Sequence, residues 1–161
     1  MQKYITQQGL DILNRTDTRK LSKDVQNAIA NSSYFFLATS SSTANPNINF
    51  KGGERGFVNI LNEHTLLFPD FDGNGIFHGL NDIDDNPNIA MLFIDFVQDI
   101  RYKVHGIATI IDNKETMNKY IDFKGFDYAP RAIQVDVTYV IGNCSKYIEN
   151  VRRDILNFEN K

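Results

Sequence analysis

A chain of 161 residues with 42% apolar residues, 12 Phe and 7 Tyr is long enough to bury about 70% of its unfolded surface in one core. That excludes a disordered protein or one that depends on staples, and a net charge of −3 with no basic run longer than Arg152-Arg153 excludes the broad positive footprint of a nucleic-acid binder. The lone Cys144 forms no internal disulfide, no apolar h-region follows Met1, and the longest apolar runs (34–38 and 90–94) are too short to span a bilayer, so the expectation is one cytoplasmic domain without a membrane partner.

Residues 3–14 carry Tyr4, Ile5, Leu10, Ile12 and Leu13, a loose helical set interrupted by Gly9. Leu21, Val25, Ala28 and Ile29 fall on one face of a second helix that Ser22 or Thr18 can cap. Tyr34 to Thr39 is a continuous apolar strand of the kind buried on both faces, and a Ser-rich turn leads into a partner strand at 47–51. After the glycines at 52, 53 and 56, residues 57–61 resume an extended run and 65–69 should fold back on it. Pro69 cannot donate to a ladder, so the sheet is expected to open there. Ile76, Leu80 and Ile83 mark a short helix ending near Asn86, because Pro87 disfavours helical geometry before it. Strands at 88–96 and 100–111 follow, the second interrupted by Gly106, which suggests a bulge. A helix at 114–123, a strand at 133–141 with strict period two, and a C-terminal helix from Ile148 complete the chain.

Several clusters carry chemistry. Lys51-Gly52-Gly53-Glu54-Arg55-Gly56 has the glycines and cation of a phosphate site but lacks the ending of a P-loop and precedes a strand. It fits a mobile hairpin with a solvated lysine as well. Asp72-Gly73-Asn74-Gly75 before a helix offers backbone N–H groups to an anion, or simply an Asp or Asn that caps its own helix. Arg101 and Lys103 share one strand face, as ligand contacts or as charged gatekeepers in solvent. Asp82, Asp84 and Asp85 read as a solvated helix face. His64, His78 and His105 are too scattered for metal-ligand spacing, and Cys144, with no adjacent base, reads as structural.

Asn45-Pro46 leading into Lys51-Gly52-Gly53, then Gly56-Phe57-Val58, Phe68-Pro69-Asp70, Gly73-Asn74, Asn86-Pro87 before Ala90 to Asp95, Val104-His105-Gly106 and the 143–148 segment together resemble the flavin-nucleotide-binding proteins related to pyridoxamine 5'-phosphate oxidase. The resemblance covers about residues 20 to 150 and rests on the order and spacing of these pieces. It implies a mainly β fold, an antiparallel Greek-key split β-barrel with peripheral helices, that binds FMN at a homodimer interface. The implied cofactor contacts are Asn49, Phe50, Lys51, Gly52, Phe68, Pro69, Asp70, Asn74, Gly75, Arg101 and Lys103. Two departures matter. Asp70 and Asp72 stand in a loop where the pyridoxamine phosphate oxidases place basic residues, and the C-terminal Arg-x-His pair of those oxidases is absent, with Arg152-Arg153-Asp154 and no histidine after His105. The implied function is therefore an FMN-dependent oxidoreductase acting on another small redox partner, such as NAD(P)H. A non-catalytic flavin-binding or stress-related protein is the alternative, and haem or deazaflavin binding is a third.

Overall fold

The computed structural model describes residues 4–144 and 146–159. Met1–Lys3 and Ser145, parts of the N-terminal and 143–148 stretches discussed above, lie outside the described residues. Among the described residues seven strands form one sheet: β1 (Tyr34–Ser40), β2 (Pro46–Gly52), β3 (Asn59–Asn62), β4 (Thr65–Asp70), β5 (Asn88–Asp95), β6 (Ile100–Ile111) and β7 (Arg131–Gly142). Their order across the sheet is β2-β1-β5-β6-β7-β4-β3, with antiparallel pairing throughout. The helices are α1 (Gln7–Arg15), α2 (Lys23–Ala30), α3 (His78–Asp85), α4 (Lys114–Met117) and α5 (Ile148–Glu159). This is the mainly β split barrel with peripheral helices that the sequence leads one to expect, and no helix among the described residues is long and apolar enough to cross a membrane.

The core lies inside the curl of the sheet. Phe35, Phe68 and Phe93 are fully buried, with the Phe35 ring 5.1 Å from Phe68 and 5.3 Å from Phe93 between centroids. Burial of each such ring stabilises the fold by about 2 kcal/mol. Helix α2 seals one opening of the curl. Ser22 Oγ accepts from the Val25 N–H at 3.4 Å, and Leu21, Val25 and Ile29 turn their shared face into the core.

Strand β1 departs from the both-faces-buried expectation. Phe35, Leu37 and Thr39 are buried, whereas Tyr34, Phe36 and Ala38 are only half covered, because one sheet curled round one core leaves its outer face to be covered by neighbouring side chains alone. The outer face of the adjoining edge strand β2 is more open still: Ile48 is 69% and Phe50 64% exposed. Pro69 also behaves differently from expectation. The ladder to β7 continues through Pro69 opposite Ala132 and Asp70 opposite Arg131, and the sheet opens on the β3 side alone, where pairing ends at Leu67. Helix α4 is one turn continued by a 3-10 turn at Asn118–Tyr120, after which Phe123 and Phe126 pack on Leu67 and Ala132 as a second small core.

The long β6 and β7 strands make the widest pairing in the sheet, and its register shifts between His105 and Gly106, the expected bulge. A Cβ at Gly106 would collide with Val135 Cγ1 and stand 2.7 Å from the backbone oxygen of Asp136, so glycine is required there by close approach of the partner strand. Gly106→Ala is expected to cost about 2–3 kcal/mol and to lower Tm by about 5–10 °C. Thermal unfolding followed by circular dichroism checks this, and an unchanged Tm would show that the bulge yields without cost.

Candidate functional site

Alternation along β2 turns Asn47, Asn49 and Lys51 to the core side and Ile48 and Phe50 to the outside. The curl of the sheet carries this edge round to β4, and Lys51 Nζ reaches Asp70 Oδ1 at 2.5 Å. Asp70 is 3% exposed. A carboxylate so far out of water needs charged partners, and Asp70 has one on each oxygen. Arg131, directly opposite in the β4–β7 register, places Nε 3.3 Å and Nη2 3.1 Å from Asp70 Oδ2. Arg131 Nη2 also donates to Asp72 Oδ1 at 2.6 Å, and the guanidinium lies 5.2 Å from the Phe77 ring centroid, within cation–π range. Burial works against the Arg131 charge, but the hydrogen bonds to Asp72 and Asp70 outweigh it, so its pKa sits above the ordinary arginine value.

Beyond Asp70 the chain leaves the sheet through Phe71 to Ile76 and enters α3. Asn74 Oδ1 accepts from the Ile76 N–H at 3.1 Å, which closes a local turn and leaves the helix uncapped. The N-cap residue is Phe77, in the left-handed region at φ 55°, with no side-chain cap. The N–H groups of His78, Gly79 and Leu80 therefore lack intrahelical acceptors and concentrate partial positive charge at the cleft. Asn49 Nδ2 is buried without a partner, and it would stand 3.1 Å from a Cβ at Gly79. The absence of that Cβ lets the amide approach the first helical turn.

The far end of α3 fixes its position. Asp82 Oδ2 accepts from Thr39 Oγ1 at 2.6 Å and from Asn47 Nδ2 at 3.2 Å, and Asp85 Oδ2 accepts from the Ser42 N–H at 2.7 Å. That backbone N–H holds the Asp85 carboxyl below the usual carboxylate range. The acidic face expected to be solvated is thus partly a docking face for the β1–β2 hairpin.

A cleft of about 190 Å³ lies between β2, the Phe71–Ile76 loop and the start of α3. Of the predicted contacts, Asn49, Lys51, Asp70, Asn74 and Gly75 line it. The Phe50 ring is on the opposite face of β2, stacked 5.7 Å from Tyr34, and Gly52 is exposed at the strand end. Phe68 is in the core, and Pro69 is in the ladder beside β7. Arg101 and Lys103 lie on the outer sheet face, where Lys103 is opposite Leu92 and Ile141 and Arg101 Nη2 donates to the Cys144 carbonyl. Within one chain the sheet therefore separates Lys51 from Lys103. Next to Lys103 on that outer face, His105 meets Tyr139 edge-on at 5.5 Å; burial, and after it the Lys103 charge, push its pKa down.

Arg131 and the uncapped α3 terminus at Phe77 escape sequence reasoning. Arg131 follows Pro130, ahead of where period-two alternation begins, and only the strand register sets it against Asp70. A larger cavity of about 300 Å³ lies between α2 and the β5–β6 loop, lined by Asp24, Asp95 and Tyr102 with no Lys or Arg. Burial, followed by the Asp24 carboxylate, pushes the Tyr102 phenol up. Such a cavity repels phosphate, whereas the smaller cleft offers a cation, an amide and a helix start to one.

The family model described as pyridoxamine 5'-phosphate oxidase matches residues 21–140. No curated protein matches the sequence. Among solved structures, a putative pyridoxamine 5'-phosphate oxidase from Lactobacillus delbrueckii is similar at 17% identity and TM-score 0.63, covering 78% of this chain and 96% of its own. HupZ of Group A Streptococcus is similar at 17% identity and TM-score 0.57, over 75% of this chain and 92% of its own. An FMN-binding protein from Syntrophomonas wolfei is similar at 12% identity and TM-score 0.56, over 85% and 92%. Identities this low speak for the shared fold, and the family model, spanning most of the chain including β2, β4 and the start of α3, identifies the lineage: this chain belongs to the pyridoxamine 5'-phosphate oxidase family.

Proposed function

We propose that the chain binds FMN with its phosphate end in the cleft between β2 and α3, and that it works as an FMN-dependent oxidoreductase for a small redox partner such as NAD(P)H. The observation that carries this reading is the convergence of the uncapped α3 N-terminus, the unpartnered Asn49 amide and the Lys51 ammonium on one cleft. These residues fit a phosphate dianion: backbone and amide N–H groups orient toward its oxygens, and Lys51, held by Asp70, supplies a positioned charge. Bound FMN supplies the hydride or electron chemistry, while the chain's residues orient it and exclude water. An FMN-binding protein stands among the structural relatives. Others are named as an F420 reductase and a haem storage protein, so the identity of the chromophore decides between the readings.

The cleft is smaller than the several hundred Å³, roughly 300–1,000, of ordinary ligand pockets. It suits the phosphate and adjoining chain but leaves a flavin ring to be covered by other surface. The outer face carrying Ile48, Phe50 and Phe36 is an apolar surface suited to a second copy, and a homodimer would bring the partner's outer face, with Lys103, to complete the pocket.

Purified protein is expected to show flavin absorption bands, to release FMN on denaturation, and to be bleached by NADH or NADPH; a haem or deazaflavin spectrum would replace the reading, and a flavin that no nicotinamide reduces would leave a flavin-binding protein without this activity. Lys51→Ala should weaken FMN binding about tenfold, equivalent to about 1.4 kcal/mol, in a fluorescence titration, and an unchanged Kd would remove Lys51 from the site. Phe50→Glu should convert a dimer to a monomer by light scattering and abolish tight FMN binding. A wild-type protein that is already monomeric would rule out the shared pocket.

A further inference from the structure

Lys51 and Asp70 of the cleft lining are paired with each other, and Arg131, which is next to the lining and not part of it, is paired with both Asp70 and Asp72. The two carboxylates differ in their freedom to leave. Asp70 is 3% exposed and sits in the β4–β7 ladder, whereas the Asp72 side chain is 65% exposed on the loop that follows. A Cβ at Gly73 or at Gly75 would meet nothing within 4 Å, so no packing at either glycine holds the Asp72 carboxylate against Arg131. Arg131 is anchored independently of Asp72 by Asp70 on one side and by the Phe77 ring on the other. Both of those residues line the cleft.

We propose that Asp72 holds Arg131 as an internal stand-in for the ligand's phosphate, and that Arg131 is a specificity-determining residue that engages the phosphate once Asp72 swings away. This rests on the phosphate-binding reading of the cleft. An ion pair with one exposed partner is weak, while a planar guanidinium binds a phosphate dianion through parallel charge-assisted hydrogen bonds. The exchange therefore favours phosphate and disfavours ligands without one, because a neutral group cannot displace a carboxylate. Leaving Asp72 in place beside a bound phosphate would add a repulsive charge that a phosphate-free flavin would not feel.

The test is a flavin-fluorescence titration of FMN and riboflavin against wild type and Asp72→Asn, with Arg131→Lys and Arg131→Gln alongside. Asp72→Asn should tighten FMN about two- to fivefold, the range of an exposed ion pair, and leave riboflavin unchanged. Arg131→Gln should lower the preference for FMN over riboflavin about tenfold, and Arg131→Lys should recover part of it. Because Arg131→Gln strands Asp70 and can unfold the protein, the surface variant Asp72→Asn decides the matter. An FMN affinity that is unchanged or weaker in that variant, or a riboflavin affinity that moves with it, overturns the inference while a flavin-binding wild type keeps the broader reading. A wild type that binds neither flavin overturns both.

Discussion

Burying the carboxylate of Asp70 obliges the fold to bring a cation to each of its oxygens, and that obligation links parts of the sheet remote in sequence. Lys51 comes from β2 at one edge and Arg131 from the first residue of β7. A buried ion pair adds little net stability over an apolar replacement, yet losing one partner strands a charge at a cost of about 3–5 kcal/mol. The arrangement ties β2 and β7 to the end of β4 at this one carboxylate. It fixes how far β2 closes toward β4, and with that the width of the cleft whose walls they form.

The same sheet has two chemically different faces. Its concave side holds the phenylalanine core and, where β2 meets β4, the polar cleft. Its convex side is half covered, with Tyr34, Phe36 and Phe50 in mutual ring contact and Arg101, Lys103 and His105 further along. Polar groups on two faces of one sheet cannot meet a single ligand within one chain. The alternation along β2 and β6 thus puts Lys51 and Lys103 on opposite faces of the sheet.

Much of the architecture is legible in the sequence because periodicity and turn chemistry are local. The Ser22 cap, the β1–β2 hairpin, the Gly106 bulge and the limits of β6 follow from residues a few positions apart. What escapes is set by tertiary pairing. Nothing around Tyr34 tells whether its outer face is covered, Asp82 looks solvated until Thr39 and Asn47 are brought beside it, and Arg131 gains meaning only opposite Asp70. The candidate site divides the same way: the glycines and Lys51 stand out by composition, while the roles of Asp72 and Phe77 depend on which strand lies next to them.

Helix α3 is fastened at its C-terminal half to the β1–β2 hairpin, through Asp82 and Asp85, and presents its opposite end to the cleft. The segment between Phe71 and Ile76 consequently spans two fixed points while contributing no side chain to the principal core. Its length and composition can drift over generations without renegotiating the interior. An insertion there would lengthen the tether between β4 and α3 without displacing any of the buried phenylalanines.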